Sequence, residues 1–407
     1  MKAPAPCRIS RALASVFTVC AVLLTGCARG MFPQMSDIEQ FEVIRVIGID
    51  ADGSEPGNIA ATLLVGEPSP ETGEQAGADM SFNAESASAR TAFEAISLLK
   101  MFADKKQHLG YIDYYIIGEA AAEDGIAKYT DFLARYHETR YSSKIYIIRD
   151  MSARELITES CSSDYRLEDA LDNMGEIANV MSNTSTVRVI DMMNMLDDQT
   201  GASVIPAVRY EKTQNGGDAR VSLIPAGYAV LSGGALSGYL EPDYARGYNF
   251  LTNKVKSCPV SVPDGAGSYA GFEVTRSSTD VTARFGGDGM PLEIVYETLV
   301  SVNIAEQHTD ADIYTQQSRD KLSADISETI RRDMLRVISR SFDLGLDCTL
   351  LGERLRMKYP IKWKKIENRW TQIYTALTID VETHAEIMRV YSLREPNGSN
   401  ASASGPP

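Results

Sequence analysis

Cys27 is the residue whose neighbours point most clearly to chemistry, because it directly follows Leu24, Thr25 and Gly26. This order is typical of signals in which the cysteine thiol receives a diacylglyceryl thioether and cleavage makes that cysteine the first residue. Basic residues precede an apolar run at residues 12–24, which is too short for a stable transmembrane helix. The sequence therefore predicts a signal peptide and a lipid anchor of diacylglycerol and palmitate on Cys27. An ordinary signal peptide with a chance cysteine is the alternative.

Residues that catalyse reactions are sparse in the rest of the chain. The 407 residues include four histidines, and the sequence contains no Gly-x-Ser-x-Gly elbow, no His-Glu-x-x-His and no Walker loop. The glycine cluster at residues 233–238 does not open a helix after a strand, so it indicates a turn. We therefore predict no catalytic residue and no cofactor other than the covalent lipid.

The cysteines downstream of the anchor give no sign of a disulfide framework or a zinc site. Cys161, Cys258 and Cys348 are odd in number and widely spaced. Small buried apolar residues are the favoured interpretation.

Glu382, His384 and Glu386 alternate along a predicted strand, so their side chains share one face. This pattern suits a metal site or a pH switch in which the carboxylates raise the histidine pKa. A solvated strand face is the favoured interpretation, because no further ligand is indicated. No metal site is predicted.

Two groups of charged residues are candidates for contact with a protein partner. Arg332, Arg336 and Arg340 form a row at helical spacing, which suits an acidic partner loop or simply complements the helix dipole. The second group comprises Arg135, Glu138 and Arg140. These residues suit either a receptor contact or a structural ion pair at a helix end.

Net charge restricts the classes of partner. Cleavage before Cys27 removes three basic residues and no acidic residue, so the formal charge moves from −15 to −18. Nucleic acid and anionic lipid need a basic footprint and are therefore disfavoured as main partners. With 44% hydrophobic residues the body can bury a large core, and no later apolar run approaches the 18 residues of a membrane span.

The elements that must position these residues alternate between strands and helices, which predicts a mixed α/β (α+β) fold with no transmembrane helix in the mature chain. Residues 114–117 and 145–148 are almost continuously apolar, as expected for strands covered on both faces. Helices are predicted at residues 84–102 and 313–342, and a long strand at residues 373–387.

The predicted organisation comprises three mixed α/β domains between flexible ends. In order, we predict a signal peptide at 1–26, a lipidated tether at 27–40, an N-terminal α/β domain at 41–200, a β-rich middle domain at 201–286, a C-terminal domain at 287–392 and a disordered tail at 393–407.

An ordered set of short segments behind the lipidation signal carries a resemblance to a known family. The segments are 46–50, 91–95, His108, 116–119, 135–140, 238–240, 254–257, 347–352, 359–363 and Trp370. Together they resemble the C-subunit family of spore germinant receptors, the Ger(x)C family. Residues 28–33 depart from that family, which usually continues from the lipidated cysteine into Trp-Asp.

The resemblance implies a non-enzymatic subunit on the outer, extracytoplasmic face of the spore inner membrane. It also implies two multi-spanning receptor subunits as partners and a role in receptor assembly and nutrient-triggered germination. The alternative is an extracytoplasmic lipoprotein that binds a solute or acts as a hydrolase. Two lobes around a cleft with converging polar groups would favour that alternative.

Overall fold

Two β-sheets organise the residues that the computed structural model describes. Those residues are 41–68, 80–103, 105–163, 165–198, 201–215, 218–263, 268–287, 289–307 and 315–389. Three predicted segments therefore lie outside the described residues: the signal peptide, the tether that starts at Cys27 and the tail at 393–407. From Val43 onward the chain forms one compact unit.

The first sheet is mixed, with parallel strands at its centre and antiparallel strands outside. Its strands are β1 (Phe41–Ala51), β2 (Ile59–Pro68), β3 (Met80–Ala89), β4 (Lys106–His108), β5 (Tyr114–Gly118), β6 (Lys144–Ile148), β7 (Ser203–Asn215), β8 (Asp218–Ser232) and β9 (Ala235–Leu240). The order is β3-β2-β1-β5-β6-β7-β8-β9, and β4 pairs with β1. Strands β1, β5, β6 and β7 run parallel, whereas β2, β3, β8 and β9 pair antiparallel.

The second sheet has the order β10-β11-β12-β13. Its strands are β10 (Cys258–Pro263), β11 (Tyr269–Phe285), β12 (Pro291–Gln307) and β13 (Ile379–Arg389). The first three pair antiparallel, and β13 lies parallel to β12.

The helices of the described residues cover these sheets. They are α1 (Ala92–Phe102), α2 (Glu119–Glu123), α3 (Ile126–Arg135), α4 (Ala153–Ser162), α5 (Leu167–Met181), α6 (Val189–Asp197), α7 (Ala245–Leu251), α8 (Gln316–Leu344), α9 (Leu351–Lys358), α10 (Pro360–Trp363) and α11 (Trp370–Tyr374). Helices α1, α2, α3 and α6 pack on one face of the first sheet, and α4 and α5 pack on the other.

The central strands are buried on both faces, as their apolar sequences predict. Tyr115 and Ile117 join the core beneath α1 and α3, while Tyr114 and Ile116 join the core beneath α4 and α5. All four are at most 1% exposed. The prediction for residues 114–117 is confirmed, because continuous apolar sequence is required where helices cover both sides of a sheet.

A third core joins the two sheets. It contains the buried stripe of α8, the inner face of the second sheet and residues of β7, β8 and β9 such as Val204, Tyr228 and Leu240. Residues 201–286, predicted as a middle domain, are thus divided: β7 to β9 pair in the first sheet, and β10 and β11 pair in the second.

Two boundaries differ from the sequence predictions. The predicted helix at 84–102 was wrong in its first part, because residues up to Ala89 form β3 and pair with β2, and α1 begins after its N-cap Thr91. The predicted strand at 373–387 was wrong at its start, because Ile373 lies in α11 and β13 begins at Ile379. In both places tertiary contacts outweigh local periodicity.

Candidate functional site

The predicted lipidation site, Cys27, lies outside the described residues and remains a prediction. Among the described residues, no helix is long and apolar enough to cross a membrane.

The arginine row on α8 is largely engaged by the chain itself. Arg336 forms an ion pair with Asp243, and its guanidinium lies 5.1 Å from the centre of the Tyr244 ring. Arg340 donates hydrogen bonds of 3.4 Å to the carbonyl of Tyr239. Asp243 of the same chain therefore supplies the acidic group that Arg336 contacts. The sequence had suggested an acidic loop of another protein as the partner of this arginine.

Arg332 is the member of the row that stays available. Its side chain is exposed and makes no ion pair or hydrogen bond within the described part of the chain. Glu328, four residues before Arg332, forms an ion pair of 3.5 Å with Arg331. Any contact of this row with another protein would therefore depend chiefly on Arg332.

The second predicted group does not converge on one point. Arg135 pairs with Asp131 at 2.8 Å, and Arg140 pairs with Asp113 at 3.3 Å. Each arginine thus has its own acidic partner, neither of which is Glu138.

Glu138 instead ties a helix to a loop. Its Oε2 accepts a hydrogen bond of 3.0 Å from Lys100 Nζ and one of 2.9 Å from the backbone N–H of Leu109. Burial acts to raise the pKa of Glu138, but the hydrogen bonds from Leu109 and Lys100 outweigh it and hold the pKa below its usual range. Glu138 is therefore a structural carboxylate that is present as the anion.

Glu382, His384 and Glu386 lie on the exposed face of β13, as the period of two predicts. Within the described residues, no group of three or more His, Cys, Asp or Glu side chains is arranged to hold a metal ion.

Several segments that carry the family resemblance prove to be structural. Asp347 is buried, and its Oδ2 accepts hydrogen bonds from the Gly352 backbone at 2.7 Å and from Trp370 Nε1 at 3.2 Å. Its Oδ1 accepts from the backbone of Leu351 at 3.1 Å, so the carboxylate holds the start of α9. A Cβ on Gly352 would lie 2.7 Å from Trp370 Nε1, which explains the glycine.

Asp50 plays the same part in the first sheet. Its carboxylate accepts hydrogen bonds from the backbone N–H groups of Ala153 (2.8 Å) and Arg154 (2.9 Å) at the start of α4. Gly118 lies so close to Asp50 that a Cβ would clash with the carboxylate. These residues therefore fix the position of α4 on the sheet.

The carboxyl ends of the parallel strands, where open α/β sheets usually bind ligands, carry polar groups that satisfy one another. Arg149 pairs with Glu241 at 2.8 Å, and Arg209 pairs with Asp150 at 3.0 Å. Glu119 accepts a hydrogen bond of 2.9 Å from the backbone of Asp150. This edge is therefore braced by its own ion pairs.

A pocket of about 480 Å³ lies where α6 approaches α9, and Lys254 lines it. The half-buried ammonium of Lys254 lies 5.1 Å from the centre of the Tyr248 ring, and burial lowers its pKa to about 8. Within the described residues it makes no hydrogen bond or ion pair. Asp191, Glu353 and Arg356 also line this pocket.

Lys254 lies in one of the segments that carry the family resemblance, and its local sequence does not mark it as a candidate site residue. No local pattern around Lys254 predicts a pocket, because the pocket is formed by α6, α9 and the residues after α7, which are distant from one another in the sequence.

Comparisons with known proteins agree on both halves of the chain. Residues 34–210 match the family described as Spore germination protein N-terminal domain, and residues 226–391 match Spore germination B3/GerAC like, C-terminal. The chain is 23% identical over 407 residues to the Spore germination protein KC of Bacillus subtilis (strain 168), covering 93% of this chain and 95% of that protein. It is 22% identical over 371 residues to the Putative spore germination protein YfkR of the same organism, covering 89% and 91%.

The fold has a counterpart among solved structures. The crystal structure of the GerBC protein superposes with a TM-score of 0.52 at 15% sequence identity, covering 84% of this chain and 97% of that one. At this identity the likeness concerns the fold.

Proposed function

Because the chain belongs to the Ger(x)C family of spore germination proteins, we propose that it is a non-enzymatic, lipid-anchored subunit of a spore germinant receptor. The observation that carries the proposal is that two spore germination families match both halves of the chain in order. The subunit helps the receptor assemble and helps spores germinate in response to nutrients.

The proposed location is the outer face of the spore inner membrane. Diacylglycerol and palmitate on Cys27 hold the protein there, since two acyl chains give lasting attachment where one gives only marginal binding. Its partners are two multi-spanning receptor subunits. Nucleic acid is not a partner, in keeping with the acidic net charge.

The second candidate function is that of a solute-binding lipoprotein or hydrolase, and the pocket at Lys254 is the feature that favours it. Against it, the chain from Val43 onward is one compact unit rather than two lobes. The charged residues that follow β6 are also already paired, Arg149 with Glu241 and Asp150 with Arg209. Small carboxylates that raise the melting temperature of the wild type, but not that of a Lys254→Met variant, would support solute binding.

The anchor is tested by labelling cells with a fatty acid analogue. Cys27→Ala should abolish labelling and release the protein from membranes, because no other cysteine follows the predicted cleavage site directly. Cys20→Ala is the matched control, since Cys20 lies in the same signal peptide and should be dispensable. Labelling that persists in Cys27→Ala would contradict the anchor.

A further inference from the structure

The edge of the first sheet at which β1, β5 and β6 begin exposes a group of large apolar side chains. We name it the amino-edge surface, and its apolar members are Val43, Met101, Phe102, Tyr111 and Tyr141. The parallel register that aligns Val46 with Tyr114 and Tyr114 with Lys144 brings the residues before these strands to the same edge.

The apolar exposure at this surface is high. Phe102 is 77% exposed, Met101 65% and Tyr111 53%. Phe102 ends α1 just before β4, which pairs with β1. Soluble monomers rarely expose contiguous apolar side chains of this size unless the surface contacts something.

The loop before β5 contacts the loop before β6 at this surface. The ring of Tyr111 lies 5.6 Å from the ring of His108, and Ser143 donates a hydrogen bond of 2.5 Å to the carbonyl of Ile112. The loops that carry Tyr111 and Tyr141 are therefore held to each other.

Cations lie among the apolar residues. The side chains of Lys105 and Lys106 are exposed and make no ion pair within the described part of the chain. Two nearby acids are already paired, Asp113 with Arg45 at 2.8 Å and Glu138 with Lys100 at 3.0 Å. Neither of these acids pairs with Lys105 or Lys106, so both lysines present their charge beside the apolar residues.

The opposite edge of the same strands differs in character. None of the large apolar side chains exposed in the described structure lies in the segments 51–58, 119–125 or 149–152, which follow β1, β5 and β6. Ion pairs such as Arg149–Glu241 occupy that edge instead. Within the part of the chain that the structure describes, exposed aromatic residues and lysines without an ion pair therefore occur together at the edge where β1, β5 and β6 begin.

We propose that the amino-edge surface contacts the phospholipid headgroups of the membrane in which the protein is anchored. Tyrosine with a neighbouring phenylalanine is the composition that enters the boundary between headgroups and acyl chains, and lysine pairs with lipid phosphate. The occupant is the bilayer itself.

Chain connectivity favours this occupant. β1 enters the sheet at this edge, and the 14 residues from Cys27 to its first residue span at most about 50 Å when fully extended. The orientation rests on the proposed function, because it requires an anchor at the N-terminal end.

The experiment places the mature chain on vesicles and measures the depth of one side chain at a time. A hexahistidine tag replaces Cys27 and binds a nickel-chelating lipid, so the anchor does not depend on lipidation. The vesicles contain phosphatidylcholine brominated on its acyl chains, with or without phosphatidylglycerol. The test variants are Phe102→Trp and Tyr141→Trp, each checked for an unchanged urea melt.

The matched control is Ile361→Trp. Ile361 is 79% exposed but lies on α10, outside the first sheet. The native Trp363 and Trp370 are buried and contribute the same background to every variant.

We expect brominated lipid to lower the added emission of Phe102→Trp and Tyr141→Trp by about twofold or more, because interfacial side chains lie roughly 5–10 Å into the boundary. Ile361→Trp should be unaffected. Adding Lys105→Glu and Lys106→Glu should weaken the quenching on vesicles with phosphatidylglycerol. Equal quenching of Phe102→Trp and Ile361→Trp would overturn the proposal, as would quenching that appears only when the multi-spanning subunits are present. Loss of labelling in Cys27→Ala tests the natural anchor separately.

Discussion

The burial of Lys254 can be tested through the pH dependence of stability. Its ammonium is half-buried beside the Tyr248 ring and has no hydrogen-bond partner among the described residues, so its charge destabilises the folded state. Lys254→Met removes the charge and keeps an unbranched side chain. We therefore expect the variant to be more stable than the wild type at pH 7.

The magnitude follows from the pKa of Lys254, which falls from 10.5 to about 8 on folding. Each tenfold change in proton affinity corresponds to about 1.4 kcal/mol, which sets an upper bound of about 3 kcal/mol. Because solvent screens a half-buried group, we expect a gain in the free energy of unfolding of about 1–2 kcal/mol.

The sign of the pH dependence is fixed by the same pKa. Below pH 8 lysine is charged in both states, so the cost is fully present. Between pH 8 and 10.5 the unfolded state binds more protons, so the stability of the wild type rises with pH. Above pH 10.5 the cost vanishes, and with it the advantage of Lys254→Met.

Urea unfolding of the mature chain at pH 7 and at pH 10.5 measures this difference. Lys256→Met is the matched control, since Lys256 is exposed and two residues away. A gain from Lys254→Met that is equal at both pH values, or a loss at pH 7, would refute the argument.

Two further predictions concern the C-terminal half. Gly352→Ala should lower the free energy of unfolding by about 1–3 kcal/mol, because the added Cβ would meet Trp370. Gly53 has open space around it, so Gly53→Ala should change the free energy of unfolding little. Equal effects of the two substitutions would contradict this packing. Arg332→Glu should leave the melting temperature within a few degrees yet lower co-purification with the proposed membrane subunits. Arg336→Glu also breaks an internal ion pair, so it serves for comparison; unchanged co-purification of Arg332→Glu would show that the row is merely solvated.

The sequence predicted the elements whose patterns reflect burial directly. Residues 114–117 and 145–148 read as doubly covered strands because every position in them must be apolar. Apolar residues also alternate from Ile294 to Ile304, which is typical of a strand with one covered face, and in β12 these alternating apolar residues face the third core. The mixed α/β class followed from these elements.

The sequence could not predict elements that depend on a partner strand. Residues 84–89 are rich in alanine, serine and glutamate, which suit a helix locally, but pairing with β2 and a 2.8 Å hydrogen bond between Thr62 and Ser86 make them a strand. The strands β7 to β9 joined the first sheet because β7 pairs with β6, a contact that no local pattern records.

The candidate site was harder to predict than the fold. Charged residues at helical spacing suggested a partner surface, yet Asp243, distant in sequence, already pairs with Arg336. The amino-edge surface could not be predicted from the sequence, because its residues come from four separate segments. Only the parallel order of β1, β5 and β6 brings them to one edge.

The central claim is that this chain is a subunit of a spore germinant receptor, and germination of spores that lack its gene tests it most directly. The decrease in optical density is followed while the spores are exposed to a panel of nutrients, beside spores in which the gene has been restored. We predict that the deletion abolishes or strongly slows the response to at least one nutrient and that the restored gene recovers it. An unchanged response to every nutrient would contradict the claim.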